Sequence, residues 1–273
     1  MRLGRRQREL LRRWLPGAEV VRDHSWGPDG TTVLELRLGD DRYIAKAAAE
    51  GDHHLLRELR AHQNWLGPLG ARGPELVHAD ADARLLVTRF LPGELVQGHD
   101  AERRPDTYRQ AGRLLASLHG QLTVEDADFE AQLKRKTLSR LDGEHRIAPE
   151  IVDRLRAEVG SWPTPPAALV PTHGDWQPRN WLVHEGVLRV IDFGRADLRP
   201  AFTDFTRLAA QQFRGAPELE AAFLDGYGHD PREPGAWRRE RFREAIATAV
   251  WAYQMGLSDF ERQGHRMIEE ALA

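Results

Sequence analysis

Residues 172–194 read THGDWQPRNWLVHEGVLRVIDFG, and the fold expected of the whole chain is decided there. Asp175 is followed five positions on by Asn180, and then by the tripeptide Asp192-Phe193-Gly194. Metal-dependent phosphoryl transfer needs one carboxylate facing a substrate hydroxyl. It also needs an amide and a second carboxylate to hold Mg²⁺ on the nucleotide phosphates. The intervening residues suit that use. Residues 181–184 alternate like a strand, Glu185-Gly186 fits a tight turn, and 187–191 reads as the return strand. Such a hairpin brings Asp192 back beside Asn180, so two ligands far apart in sequence can share one ion. Each part alone is weak: Asp-Phe-Gly is common, and Asp and Asn in loops are ordinary turn formers. The combination, with His173-Gly174 ahead of Asp175 and a hairpin-sized gap, argues for chemistry. The chain has only two Asn residues, Asn64 and Asn180, so a scarce type stands at the metal position.

Composition bounds the alternatives. A chain of 273 residues with 41% hydrophobic residues and eight Trp can build one large domain or two lobes. A net charge of −3 gives no general attraction to nucleic acid or to a membrane surface. Without Cys there are no disulfides, thiolate nucleophiles or Cys-ligated zinc. No apolar run approaches the ~20 residues of a membrane span. The opening MRLGRRQRELLRRWLPG has no signal-peptide core and reads as an amphipathic helix, with Leu10, Leu11, Trp14 and Leu15 on one side. A cytoplasmic protein, monomer or homodimer, is expected.

Residues 19–23, 32–38 and 42–47 read as three strands, with Gly39-Asp40-Asp41 as the second turn. The first connection, 25–31, holds Gly27 and Gly30 and is a candidate phosphate loop, since glycines let backbone N–H groups approach an anion. The same run also reads as a plain turn. Of 39 basic residues only Lys46, Lys134 and Lys136 are lysines. Lys46 shares a strand face with Ile44, opposite Tyr43 and Ala45. A compact ammonium able to reach phosphates is a chemical reason to keep Lys there; an edge-strand charge is the plainer account. A helix over 53–66 follows, with Leu55, Leu56, Leu59 and Trp65 apolar and Glu58 in its middle. Residues 76–80 and 84–90 read as the fourth and fifth strands. Phe90-Leu91-Pro92-Gly93 then reads as a hinge.

The stretch HGDWQPRN followed by VIDFG resembles the aminoglycoside phosphotransferase and choline kinase family, distant relatives of the protein kinases. The match is close over 172–194, and the order of elements agrees along nearly the whole chain. The resemblance implies an α+β, two-lobed, protein-kinase-like fold. A five-stranded, mostly antiparallel sheet would form a nucleotide-binding lobe over 1–92, and a larger helical lobe over 93–273 would carry catalysis and the acceptor. It implies Asp175 as catalytic base, Asn180 and Asp192 as metal ligands, and His173 as a support for the loop. Glu58 would pair with Lys46 and hold it toward the α- and β-phosphates, with Glu50 as a rival and a surface ladder of Glu58 with Arg57 and Arg60 as the alternative. Backbone groups of Phe90 and Leu91 would bind the base, which leaves ATP and GTP both open, with Mg²⁺. Two departures stand out. Gln177-Pro178-Arg179 replaces the frequent His-Pro-Gly, and Leu198-Arg199-Pro200 replaces the Gly-Asp-Pro ahead of the bracing Asp204.

The second lobe is less legible. Residues 105–121 form a strong helix with Ala111, Leu114, Leu115 and Leu118 on one stripe, and His119 at its end reads as a packed or capping His. Residues 123–165 carry an acidic cluster (Glu125, Asp126, Asp128, Glu130), a basic cluster (Lys134, Arg135, Lys136) and a helix over 149–159. An acidic wall would suit a polycationic acceptor; a solvated charged face is the alternative. Asp197 reads either as facing the acceptor or as a loop cap. Residues 217–227 and 237–271 are helical by pattern, with Phe242, Ile246, Val250 and Tyr253 as a core stripe. The expected activity is an ATP- or GTP-dependent O-phosphotransferase acting on a small hydroxylated molecule, an aminoglycoside-type cationic antibiotic first. A metabolic kinase of a small alcohol, sugar or amino alcohol is the second reading. A non-catalytic nucleotide-binding module is the third. Nucleic acid and membranes are not expected partners. A protein kinase is disfavoured, because a Gly-x-Gly-x-x-Gly loop and an Ala-Pro-Glu segment are both missing.

Overall fold

The computed structural model describes residues 3–25 and 31–273. Gly27 and Gly30, the candidate phosphate-loop glycines, lie outside the described residues. The chain runs α1 (Arg5–Trp14), β1 (Glu19–Asp23), β2 (Thr32–Leu38), β3 (Asp41–Ala47), α2 (His54–Asn64), β4 (Leu76–Asp80), β5 (Leu85–Arg89) and β6 (Glu94–Leu95). It continues through α3 (Pro105–His119), β7 (Val124–Asp126), α4 (Phe129–Arg140), α5 (Pro149–Ser161), β8 (Ala167–Thr172), β9 (Trp181–His184), β10 (Val187–Val190) and β11 (Asp197–Arg199). Four helices close it: α6 (Thr206–Ala210), α7 (Pro217–Tyr227), α8 (Pro234–Gln254) and α9 (Ser258–Leu272). The fold is α+β and kinase-like. The chain divides into two compact units, one of Met1–Gln121, Pro171–Asp197 and Glu218–Gly228, the other of Leu122–Val170, Leu198–Pro217 and His229–Ala273.

The first unit is built on a five-stranded sheet in the order β1-β2-β3-β5-β4, with every neighbouring pair antiparallel. Period-2 alternation sets its register, because a one-residue slip would turn the whole apolar set to the wrong face. On β3, Tyr43, Ala45 and Ala47 are buried and the residues between them are not. They join Leu34, Leu36, Leu85 and Val87 in a core that α1 covers with Leu10. The opposite face carries Lys46, paired across to Val33 and Leu86. Leu86 packs there with Leu55 of α2 and Ala48. The hairpin β9–β10 belongs to the same unit, with Trp181 opposite Val190 and His184 opposite Val187. Its turn, Glu185-Gly186, has φ of +50° and +74°, the two left-handed residues of a type I′ turn.

The second unit packs α5, α8 and α9 around Leu155, Val159, Phe242, Ala245, Ile246, Ala249, Val250 and Ile268. The helical pattern over 237–271 is two helices: the chain reverses at Gly256, whose φ of +68° ends α8. Phe242, Ile246 and Val250 are core, whereas Tyr253 is half-buried. Residues 123–165 hold more than their sequence suggested. Val124–Asp126 pairs with β8, and α4 occupies 129–140. Glu130 belongs neither to an acidic wall nor to a solvated face. It is buried on α4 and ion-paired with Arg243 and, at 3.3 Å, with Arg239 of α8. Among the described residues no helix is long and apolar enough to cross a membrane.

In the first unit α3 and α7 meet through glycines. A Cβ at Gly226 would run into the Arg109 carbonyl, and one at Gly112 into the backbone of Phe223 and Tyr227. Gly160, near the end of α5, has open space. Gly226→Ala is therefore expected to destabilise by about 3 kcal/mol, lowering Tm by roughly 6–12 °C. Gly160→Ala should stabilise by about 0.5–1 kcal/mol. Thermal unfolding of both variants checks the pair; a neutral Gly226→Ala would refute the close helix contact.

Candidate active site

Lys46 lies one residue before the end of β3 with its side chain 15% exposed, and its ammonium needs partners because a charge largely removed from water is costly when unpaired. Nζ donates to Glu58 Oε1 at 2.7 Å and Oε2 at 2.9 Å. A third carboxylate oxygen, Asp192 Oδ1, lies 3.4 Å away. Burial alone would lower the Lys46 pKa, but the Glu58 and Asp192 carboxylates outweigh it and push it up, so the ammonium stays charged. Glu58 sits in mid-α2 and is only 4% exposed. Arg57 and Arg60, its neighbours, instead bridge to Asp197 at 3.6 Å and 3.1 Å. Glu50 is exposed.

The loop after β8 is held by its own side chains. His173 is fully buried; its Nδ1 accepts from Asp175 N–H at 3.2 Å, and its Nε2 lies 3.0 Å from the Ile191 carbonyl. That pattern places the ring proton on Nε2. One histidine thereby ties the Asp175 loop to the segment entering Asp192. Asn180 Nδ2 donates to the Asp175 carbonyl at 2.8 Å and to Asp175 Oδ2 at 3.0 Å. Gln177 Nε2 donates to Asp175 Oδ1 at 2.5 Å, and Arg179 donates to Oδ2 at 2.6 Å. Below the loop runs a column of rings. Tyr108 meets Trp181 at 5.6 Å, Trp181 meets Trp176 at 5.9 Å, Trp176 meets His173 at 5.3 Å, and His173 meets Phe193 at 4.7 Å. His62 of α2 ends it, 6.5 Å from Phe193.

Asp192 lies two residues beyond the end of β10. The Ile191 N–H donates to the Asn180 carbonyl at 3.0 Å, which extends the hairpin ladder and sets Asp192 beside Asn180. Asp192 has φ +66°, a left-handed conformation that costs a non-glycine residue about 1–3 kcal/mol and is kept where surroundings over-determine it. Lys46, 3.4 Å away, holds the Asp192 carboxyl below the usual range. The Gly194 carbonyl accepts from His54 Nδ1 at 2.9 Å, joining this segment to the first turn of α2. Among the described residues no group of three His, Asp or Glu side chains could hold a metal alone. With Asn180 Nδ2 committed to Asp175, its Oδ1 and the Asp192 carboxylate are the hard oxygen donors on offer.

In residues 90–93 the Phe90 N–H donates to the Arg42 carbonyl at 2.9 Å and so belongs to the sheet. Arg189 of β10 donates to the Pro92 carbonyl at 2.6 Å. Gly93, with φ +144°, leaves no room for a side chain against Leu182 and Val183. His119 packs as a buried partner of the Tyr227 hydroxyl at 2.9 Å. Sequence reasoning missed Gln177 and Arg179 on Asp175, His54 on Gly194, and Gln110. The Gln110 side chain clamps the hairpin tip through the Gly186 carbonyl (2.8 Å) and the Leu188 N–H (3.0 Å). The departure from His-Pro-Gly was the available signal for the first two; the others are lone polar residues on helices.

Burial pushes the His62 imidazole down to about 4. The unfolded chain takes up this proton near pH 6.5 while the folded chain does so only near 4. Stability from this group is thus complete above the unfolded value and is lost as pH falls toward 4, by about 3 kcal/mol. Urea midpoints at pH 7.5 and 4.5 should show that slope, and His62→Gln should reduce it. An unchanged slope would exclude His62 as its source.

The family model "Phosphotransferase enzyme family" matches residues 26–243. No curated protein matches. The fold is similar to that of an aminoglycoside-3′-phosphotransferase of type VIII, at 24% identity over 88% of this chain and 98% of that one, with a TM-score of 0.64. It is also similar to macrolide 2′-phosphotransferase MphH from Brachybacterium faecium, at 19% identity over 95% of each chain and a TM-score of 0.60. Choline kinase LicA from Streptococcus pneumoniae gives a TM-score of 0.69 at 14% identity, over 96% of this chain and 97% of that one. Since the family model spans most of the chain, the protein belongs to the phosphotransferase enzyme family and is a small-molecule kinase acting on a hydroxyl group.

Proposed function

We propose that the chain transfers the γ-phosphoryl group of ATP, with GTP as a second donor, to a hydroxyl of a small molecule in the presence of Mg²⁺. One observation carries the reading: within a single compact unit, Lys46, Glu58 and Asp192 converge on one ammonium while Asn180 and Asp175 share a hydrogen bond, with the Ile191 N–H joining the two groups. In this reading Asp175 orients the acceptor hydroxyl and accepts its proton. The hydroxyl oxygen bonds to the γ-phosphorus as the bond to the β–γ bridging oxygen breaks, and the diphosphate leaves. Lys46 holds the α- and β-phosphates, with Glu58 aiming it. Asn180 and Asp192 would hold Mg²⁺, which supplies charge neutralisation at the phosphates. Residues 1–92 form the nucleotide-binding lobe and 93–273 the catalytic and acceptor lobe, with backbone groups of Phe90 and Leu91 at the base. Catalysis is chiefly positioning and charge stabilisation.

The acceptor proposed first is a hydroxylated antibiotic of aminoglycoside type. A small alcohol of the choline kind is the second reading, favoured by Glu130: its burial in an ion pair removes one carboxylate from the cluster that suited a polycation. A cytoplasmic location fits both. Asp175→Ala should lower turnover by about 10³-fold or more while calorimetry finds nucleotide still bound. Near-normal turnover in that variant would remove the base assignment. Acceptor-dependent ADP or GDP release, measured across aminoglycosides, other hydroxylated antibiotics and choline, separates the two acceptor readings. If no compound supports release, the transfer reading fails.

A further inference from the structure

We infer that Arg179 is a positioning residue for the Asp175 carboxylate, an inference that rests on the phosphotransfer reading above. In the segment 171–180 Arg179 alone is exposed; Asp175, Trp176, Gln177, Pro178 and Asn180 are buried. Its side chain nevertheless turns back onto the loop, where its NH2 group lies 2.6 Å from Asp175 Oδ2. Asn180 donates to the same oxygen at 3.0 Å and Gln177 donates to the other at 2.5 Å.

The fold has little need of this contact. The Arg179 side chain is 41% exposed, so solvent screens its attraction for Asp175, and fixing a long Arg side chain costs up to about 2 kcal/mol in rotamer entropy. The loop backbone is already held by His173 and by the Asn180 bond to the Asp175 carbonyl. What those bonds leave soft is rotation of the carboxylate about Cβ–Cγ, a broad torsion. Donors on both oxygens fix that plane. Gln177 and Asn180 do so as neutral amides, and Arg179 adds charge.

Charge matters at this place. An acceptor hydroxyl on Asp175 must lie within about 3 Å of a carboxylate oxygen, which puts the Arg179 guanidinium within about 6 Å of the reacting atoms. A fixed cation there offsets the repulsion between the carboxylate and an incoming triphosphate without any reorganisation during transfer. Arg179 acts through Asp175 and needs no contact with substrate.

The test compares R179M and R179K by phosphate or diphosphate release from Mg·ATP, with water as acceptor and with any acceptor that supports release. R179M should lower kcat about thirtyfold while KM for ATP stays within about twofold, since misplacement of a reacting group is a kcat effect. R179K should recover most of the loss. In a D175N background R179M should change kcat less than twofold. The inference is overturned by a kcat within twofold of wild type in R179M, by a loss in KM alone, or by an equal proportional loss with and without D175N. Thermal unfolding reads the same pair without turnover: whatever Tm shift R179M causes in the parent chain should be lost in D175N. If the parent releases no phosphate with any acceptor, the transfer reading falls, and equal Tm shifts in both backgrounds would still overturn the contact.

Discussion

A charged ammonium inside a protein has to be met by carboxylates, and Lys46 obliges three separate parts of the first unit to meet that demand. The sheet delivers the ammonium, α2 brings Glu58, and the end of β10 brings Asp192. Removing one partner of such a group leaves a charge uncompensated, which is far more costly than never having had the pair. The arrangement therefore restricts where α2 and the Asp192 segment can lie. The bond from His54 to the Gly194 carbonyl adds a second link between the same two elements.

The Asp175 loop obeys a different constraint. It carries many polar groups in a buried place, and each requires a partner. The loop supplies them from within: His173 takes the Asp175 N–H, Asn180 takes the Asp175 carbonyl, and Gln177 and Arg179 take its carboxylate. Beneath it, the ring column from Tyr108 to Phe193 gives an incompressible floor. A polar loop on an aromatic floor keeps side-chain positions to fractions of an ångström, which a positioning mechanism requires.

Local chemistry was what the sequence made legible. The hairpin could be read because Glu185-Gly186 demands left-handed backbone and its flanks alternate. The five-stranded sheet could be read because its buried face repeats every second residue. The pairing of Lys46 with Glu58 followed from resemblance, since nothing in a helix distinguishes a Glu aimed at a strand from one aimed at water until burial is known. The strands β6, β7 and β11 escaped notice because they are two or three residues long. The departure of Arg179 from the common pattern was visible, but its direction was not. A side chain with four rotatable bonds can serve solvent or a carboxylate, and only coordinates decide.

Two indoles in the ring column carry an optical consequence. Trp176 and Trp181 are essentially inaccessible to water, directly under the carboxylate of Asp175, and neither Nε1 has a hydrogen-bond partner among the described residues. Indole emission shifts to the blue when its dipole is surrounded by immobile, dry neighbours. Among the chain's eight tryptophans this pair thus contributes a blue-shifted component that reports the state of that floor without any label.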